Sequence, residues 1–192
     1  VYEGDPGRGI IAGTVFDIPI NLYLEFFAQA FPGKTFGFVY NPKLYHQDEI
    51  HKDRLLTAAS KMNPPLKIIP VEVDAPQISE EQQARADIFF GRYYVSKNLQ
   101  EFISSSKKPF VAADISHAYK GAIATISTDS TELGRMAAEQ LLYPNLMSGT
   151  ALSDLPIIIP QKGIIGINLS AARRYNISIS PAAVERADRV IE

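Results

Sequence analysis

The chain has 192 residues, of which 46% are hydrophobic and 21% charged, and its formal net charge is -2. This composition is typical of a soluble globular protein with a sizeable core, and it lacks the basic cluster that nucleic-acid binding requires. The absence of cysteine excludes disulfides, thiolate nucleophiles and Cys-ligated metals. No apolar run has the length of a membrane span, and no signal peptide stands at the start. Because the first residue is Val1 and not Met, we expect a processed or cut form.

Strands and helices alternate along the first two-thirds of the chain. Short apolar runs predict strands at residues 10–15, 36–40, 66–73, 87–90, 109–113 and 122–126. Helical periodicity predicts helices at residues 18–31, 48–61, 79–86 and 96–105. Because strand and helix alternate, the sequence predicts an α/β fold with a doubly wound parallel sheet.

The last third has a less regular pattern. Thr128–Glu132 is typical of a capped helix start, and the helix that follows carries an apolar stripe of Leu133, Met136, Ala137 and Leu141. Tyr143–Pro156 is rich in Pro, Gly and Ser and is predicted to be a connector. We expect the remaining segments to be a hairpin or paired terminal strands at 156–160 and 163–168, followed by helices at 170–175 and 181–191.

Short segments spread along the chain carry a family resemblance. They are Ala12–Thr14 with Phe16-Asp17, Phe36–Pro42, Lys108–Asp114, Lys120–Ala122, Asp129 with Glu132–Arg135, Ile167–Leu169 with Ala171-Ala172, and Ala187–Ile191. In order and spacing these segments resemble the ABC transporter substrate-binding proteins of the tryptophan/tyrosine type, which have the type I periplasmic-binding fold. The resemblance covers nearly the whole chain but only about the last two-thirds of a family member.

The resemblance implies a lobed architecture. We expect residues 1–127 to be the second-lobe α/β ligand-binding domain, and residues 128–192 to supply the returning helix, the connector, the terminal strands and the C-terminal helices. Most of the first lobe would be missing, because the chain is either a fragment of a two-lobed protein or a natural short relative. A helix built to pack on that lobe would expose its apolar stripe, which favours a homodimer.

The family holds small solutes by strand-end groups, which points to candidate ligand contacts here. The corresponding side chains are Asp17, Asn41, His46, Arg92, Tyr93, Tyr94, Asp114 and His117. Arg92 suits a carboxylate, and Tyr93 or Tyr94 suits an aromatic or apolar group; alternatively Arg92 forms a surface ion pair and the tyrosines pack between elements. Asp114 has the alternative role of capping the next helix.

The resemblance also implies the function. We expect an extracytoplasmic solute-binding component of an ABC transport system, periplasmic or membrane-anchored as a lipoprotein, that binds an amino-acid-like or aromatic carboxylate ligand without chemistry. Its partner would be a membrane permease complex. A ligand-sensing domain that signals to a membrane partner is the first alternative, because fold does not decide between transport and sensing.

Other classes of function fit the residues less well. A receiver-like phospho-acceptor domain is the second alternative, but Asp17 stands alone and Lys120 is followed by another strand. There is no nucleophile elbow or phosphate-binding loop, so we expect no catalysis and no cofactor. His46, His51 and His117 have no metal-binding spacing, and we expect solvated histidines and no metal.

Overall fold

The computed structural model describes residues 13–15, 17–43, 47–73, 78–91, 107–151 and 154–192. The described strands are β1 (Gly13–Thr14), β2 (Phe36–Tyr40), β3 (Ile68–Glu72), β4 (Ile88–Phe90), β5 (Phe110–Ala112), β6 (Ala124–Ser127), β7 (Ile157–Ile158), β8 (Ile164–Asn168) and β9 (Arg189–Ile191). The described helices are α1 (Ile20–Ala30), α2 (Gln47–Ser60), α3 (Glu80–Ala84), α4 (Ser130–Ala137), α5 (Tyr143–Ser148), α6 (Leu169–Arg174) and α7 (Pro181–Glu185), with a 3₁₀ helix (Ile115–Lys120) and a π-helical segment (Ala138–Leu142). The helix predicted at 96–105 lies outside the described residues.

The described residues divide into two compact units. Unit 1 comprises the described residues up to Leu22 together with Thr128–Gly163. Unit 2 comprises the described residues of Tyr23–Ser127 and Ile164–Glu192. Residues 164–192 therefore belong to the same unit as residues 23–127. The division expected from the sequence instead placed all residues after 127 together.

Unit 2 contains a seven-stranded sheet with the strand order β3-β2-β4-β5-β6-β8-β9. Neighbouring strands are parallel except for β6 and β8, which pair antiparallel from Ala124↔Ile167 to Ser127↔Ile164. The predicted α/β fold with a mostly parallel sheet is thus confirmed. Because β8 and β9 run against the other five strands, the carboxyl ends of β3, β2, β4, β5 and β6 share one edge of the sheet.

Apolar side chains pack on both faces of this sheet. On one face, Phe27 of α1 stacks on Phe36 of β2 with ring centroids 4.5 Å apart, and Phe90 of β4 meets Phe27 at 4.8 Å. On the other face, a buried cluster joins strand and loop residues on either side of α3; its members include Val39, Val71, Ile78, Ala86, Phe89, Phe110 and Ala112. Such two-sided burial explains the continuous apolar strand sequences.

The helix of unit 1 continues further than the sequence predicts. The connector predicted from Tyr143 is wrong for residues 143–148, because the chain passes from α4 through the π-helical segment into α5. Pro144 follows the π-helical segment within this continuous helix and has no backbone N–H to donate to a preceding carbonyl. Gly149 ends the helix with φ 66°, a left-handed conformation that suits glycine.

The strand pairings after α5 also differ from the prediction. The predicted hairpin at 156–168 is wrong: β7 pairs in parallel with β1 in unit 1, whereas β8 pairs with β6 and β9 in unit 2. The last predicted helix is too long, since α7 ends at Glu185 and β9 follows. Apolar periodicity cannot distinguish these outcomes because β9 has only three residues.

Candidate functional site

Three neighbouring strands of unit 2 end at the same edge of the sheet. The residues that follow these strands are either small or polar. Asn41 follows β2, Gly91 follows β4, and Ala113-Asp114 follows β5. The order β2-β4-β5 separates the ends of β2 and β5 by two strand spacings, which is roughly 10 Å. The chain order reverses beside β2, with β3 on one side and β4 on the other, and such a reversal is where open α/β sheets bind ligands.

Asn41 is held in a turn by its neighbours. Its backbone N–H donates to Asp48 Oδ2 at 3.2 Å, and its Oδ1 accepts from the Lys43 N–H at 3.1 Å. Asp48, in the first turn of α2, is only 2% exposed, so this buried carboxylate fixes the path of the chain after β2. Sequence reasoning missed Asp48, because an acid in the first turn of a helix is ordinarily a solvent-exposed partner of the helix dipole.

The rim beside Asn41 carries an ionic cluster. The Tyr40 hydroxyl donates to Glu72 Oε2 at 3.5 Å, and Lys52 Nζ lies 5.3 Å from the centroid of the Tyr40 ring while forming an ion pair with Glu49. Burial raises the pKa of Tyr40 above its usual range, the Lys52 charge opposes that effect, and the Glu49 and Glu72 carboxylates add to it. The phenol therefore stays neutral and acts as a hydrogen-bond donor at this edge.

Asp114 caps the 3₁₀ helix that follows β5. Its Oδ1 accepts from the Ser116 N–H at 2.8 Å, which is the alternative role that the sequence left open for this residue. Partial burial raises the pKa of Asp114, but the hydrogen bonds from Ser116 and the nearby His117 and Lys120 outweigh it, so the net pKa is lowered. The side chain is exposed and its carboxylate is ionised.

His117 lies within the same 3₁₀ helix but is only 5% exposed. The expectation of a solvated imidazole is therefore wrong for this residue. Neither ring nitrogen has a hydrogen-bond partner among the described residues. Burial lowers the pKa of His117, and Lys120 acts in the same direction against the attraction of Asp114.

The other sequence-predicted contacts stay predictions. Asp17 is half-buried and belongs to unit 1. His46, Arg92, Tyr93 and Tyr94 lie outside the described residues. Of the eight candidates, Asn41 and Asp114 are the two described residues that sit at the carboxyl edge of the sheet with exposed or half-buried side chains.

A crevice opens at the same edge of unit 2. It has a volume of about 10 Å³ and is lined by Tyr23, His51, Leu55, Phe90, Gly91, Val111, Ala112 and Ala113. Tyr23 on α1 and His51 on α2 are half-buried at its rim, and His51 lies 5.6 Å from the ring of Phe38. Sequence reasoning missed Tyr23, because a tyrosine within a largely apolar helix is ordinarily expected to pack between elements.

Unit 1 contains a larger cavity of about 200 Å³ between α4 and the segment after β7, with Leu133, Met136 and Pro160 among its lining residues. Arg135 on its rim is paired with Glu132 and Glu139, each at 2.6 Å. The described residues contain no cluster of His, Cys, Asp or Glu able to hold a metal ion. Within the described ranges, no helix has the length and apolarity needed to cross a membrane.

Solved structures share this fold. A conserved domain protein from Vibrio cholerae superposes with a TM-score of 0.69 at 20% identity, over 93% of this chain and 62% of that one. The ABC domain in complex with L-Trp from Streptococcus pneumoniae gives 0.66 at 16% identity, over 88% and 59%. A substrate-binding protein with adhesive properties from Clostridium difficile, in its ligand-free, open structure, gives 0.68 at 19% identity, over 94% and 62%.

The chain thus spans about three-fifths of the length of these similar structures. A comparison with curated protein sequences finds no match. The sequence profile described as "ABC transporter substrate binding protein" matches residues 6–191, which is nearly the whole chain. With the periplasmic-binding-type sheet described above, this match shows that the chain belongs to the ABC transporter substrate-binding protein family.

Proposed function

We propose that this chain is the solute-binding component of an ABC transport system and that it holds an amino-acid-like or aromatic carboxylate ligand without changing it chemically. The observation that carries the proposal is the family match over residues 6–191. The convergence of β2, β4 and β5 at one edge supports a ligand position there. The ligand class is supported by a similar structure that is described as a complex with L-Trp.

The proposed contacts divide by chemistry. Asn41 and the exposed carboxylate of Asp114 suit the ammonium group of an amino-acid-like ligand, since both supply oxygen acceptors. Arg92 suits its carboxylate, and Tyr93 and Tyr94 suit its side chain. Asp17, His46 and His117 complete the set of contacts proposed from the sequence.

The proposed setting follows from the family. Such a protein works outside the cytoplasm, where the ligand-bound form is recognised by a membrane permease complex. Ligand binding can favour that form only through a higher affinity for it. The experiment below tests the first step, which is binding of a solute to this chain.

The chain contains no tryptophan, so its own emission comes from its nine tyrosines. Fluorescence of added L-Trp, excited at the red edge of its absorption, therefore reports binding without background from the protein. We expect a saturable change with L-Trp, and an increase in melting temperature with whichever of L-Trp, L-Tyr, L-Phe and L-Leu binds, because a ligand at 100 times its Kd stabilises by about 2.7 kcal/mol. D-Glucose and a dipeptide serve as controls of a different class.

Site variants complete the test. Asn41→Ala and Arg92→Ala should weaken binding at least tenfold, whereas Lys34→Ala, which is remote from the strand ends, should leave it unchanged. Absence of any shift with all four amino acids would contradict the proposed ligand class. Turnover of any of these solutes would contradict binding without chemistry.

We also propose that a second copy of this chain is the partner of an apolar stripe on unit 1. The stripe predicted from the sequence is not the exposed one, since Leu133 is buried and Met136, Ala137 and Leu141 are half-buried. The exposed stripe, which we call the α5 stripe, consists of Leu142, Tyr143, Leu146 and Met147, each at least 60% exposed.

The members of the α5 stripe share one helix face because they are spaced by four residues. Monomeric proteins rarely expose so many contiguous large apolar side chains. A two-fold dimer requires a self-complementary patch, and an antiparallel pairing of two α5 stripes places apolar side chains against apolar side chains.

The cysteine-free chain offers a direct test. Leu146→Cys should form a disulfide-linked dimer under mild oxidation, because the two stripes would lie face to face. Ile50→Cys is the matched control, since Ile50 is 50% exposed but lies on unit 2. Equal cross-linking of the two variants, or a monomer at all concentrations in sedimentation, would contradict the dimer.

A further inference from the structure

We propose that Tyr23 and His51 are specificity-determining residues of the ligand site and that the crevice between them receives the apolar tip of the ligand side chain. The proposal rests on the proposed function, since it refines the site at the carboxyl edge of unit 2.

The crevice lies where the strand ends and helix starts coincide. Gly91 and Ala113, which directly follow β4 and β5, line it, and Tyr23 and His51 lie within five residues of the starts of α1 and α2. α2 follows β2 and α1 precedes it, so both helices begin at the carboxyl edge of the parallel strands. The crevice therefore opens at the edge to which the ligand is assigned.

The chemistry of the crevice selects an apolar group. Leu55, Phe90 and Val111 line it with carbon atoms, and Leu55 and Val111 are almost completely buried. Among the described residues that line the crevice there is no carboxylate, lysine or arginine. An unpaired charge placed there would lose its hydration without compensation, whereas a carbon atom would not.

The size of the crevice limits what enters. A volume of about 10 Å³ holds one water-sized group. Gly91 has no side chain, and the side chain of Ala113 is a single methyl group. The crevice exists because larger side chains are absent from these two positions. We infer that the edge of a ring or a terminal methyl group enters while the rest of the side chain packs on Tyr23 and His51.

The packing beneath the crevice makes its walls rigid. Tyr23 packs edge-on against Phe27 at 6.2 Å, and Phe38 contacts both His51 at 5.6 Å and Phe90 at 5.2 Å. A ligand group at the crevice thus extends an aromatic cluster that is already ordered, and aromatic pairs add to simple burial.

The test compares affinity across ligand size. We would measure Kd for L-Trp, L-Phe, L-Leu and L-Ala by calorimetry with the unchanged chain and with Ala113→Val, Tyr23→Ala and His51→Ala. Ala113→Val fills the crevice, so it should weaken binding of the three larger amino acids at least tenfold and that of L-Ala less than twofold. Tyr23→Ala and His51→Ala should reduce the preference for L-Trp and L-Phe over L-Ala.

Tyr119→Ala is the matched control, because Tyr119 is 67% exposed on the 3₁₀ helix and lines no part of the crevice. Circular dichroism and melting curves would establish that each variant is folded. If the unchanged chain binds and the three crevice variants keep its affinities and ligand ranking, the inference is wrong and the proposed function stands. If the unchanged chain binds none of the four amino acids, both are wrong.

Discussion

The side-chain amide of Asn168 donates a hydrogen bond to the carbonyl oxygen of Ala118 at 2.7 Å, across 50 residues of sequence. The same side chain caps α6, because its Oδ1 accepts from the Ala171 N–H at 2.7 Å and from the Ser170 hydroxyl at 2.9 Å. Asn168 therefore joins the end of β8 to the 3₁₀ helix that begins at Asp114. The position of a candidate ligand contact depends on this buried amide.

Asn168→Ala should lower the free energy of unfolding by about 2–4 kcal/mol, since it removes a helix cap and leaves the Ala118 carbonyl without its donor. Asn168→Asp keeps the capping acceptor but sets a buried carboxylate oxygen against the Ala118 carbonyl, so it too should be less stable than the unchanged chain. Urea unfolding followed by circular dichroism measures both. Stability of Asn168→Asp equal to that of the unchanged chain would show that the Ala118 contact contributes nothing.

Gly37→Ala should destabilise the chain by about 1–3 kcal/mol through overpacking. A Cβ at Gly37 would lie 2.5 Å from a ring carbon of Phe89, and that ring is fully buried. Gly134→Ala on α4 is the matched control, because a Cβ there has no neighbour within 4 Å. It should stabilise the helix by up to about 1 kcal/mol, and thermal unfolding of the two variants should shift in opposite directions.

Stability should fall on acidification below neutral pH because of His117. Burial lowers the pKa of the folded imidazole below its unfolded value of about 6.5, so the unfolded chain binds the extra proton first. The stability is complete above pH 7 and declines as the pH falls through the unfolded pKa. Denaturant midpoints between pH 7.5 and pH 5 would measure the slope.

His117→Leu should flatten that slope and should not destabilise at pH 6, because the described residues offer neither ring nitrogen a hydrogen bond. Asp114 contributes to stability over a different pH range. The pKa of its carboxyl is lowered, so its contribution persists until the pH falls below about 4. An unchanged slope between pH 7.5 and pH 5 in His117→Leu would contradict the assignment.

Asp114→Asn should separate capping from ligand binding. An amide oxygen retains the acceptor for the Ser116 N–H, so stability should change little, whereas Asp114→Ala should cost about 1 kcal/mol. Loss of the negative charge should weaken binding of an amino acid ammonium group in both variants. If Asp114→Asn binds as tightly as the unchanged chain, Asp114 serves only as a cap.

The local features of this fold were predictable and the distant pairings were not. The cap of α4 follows from sequence alone, and Asp129 indeed accepts from the N–H groups of Thr131 and Glu132, both at 3.0 Å. The apolar run at Phe36–Tyr40 likewise forms β2 with the predicted bounds. The partner of β7 and the antiparallel partner of β8 lie more than 35 positions away in the sequence, and short-range patterns do not encode such pairings.

The candidate site shows the same division. Strand ends mark Asn41 and Asp114, because a ligand edge follows from parallel strands. The buried Asp48 carboxylate and the crevice between Tyr23 and His51 come from the approach of separate elements in space. Periodicity places Tyr23 correctly on a helix but cannot indicate which neighbouring helix supplies His51.

The reversed direction of β8 and β9 also bears on biosynthesis. β6 is buried along its whole length, and its outer partner is supplied by residues 164–168, more than 35 positions later in the sequence. The ribosome must therefore synthesise those later residues before β6 is paired on that side. Until then an apolar strand edge is open to other nascent chains, so early termination after Gly163 should yield inclusion bodies instead of a smaller folded product.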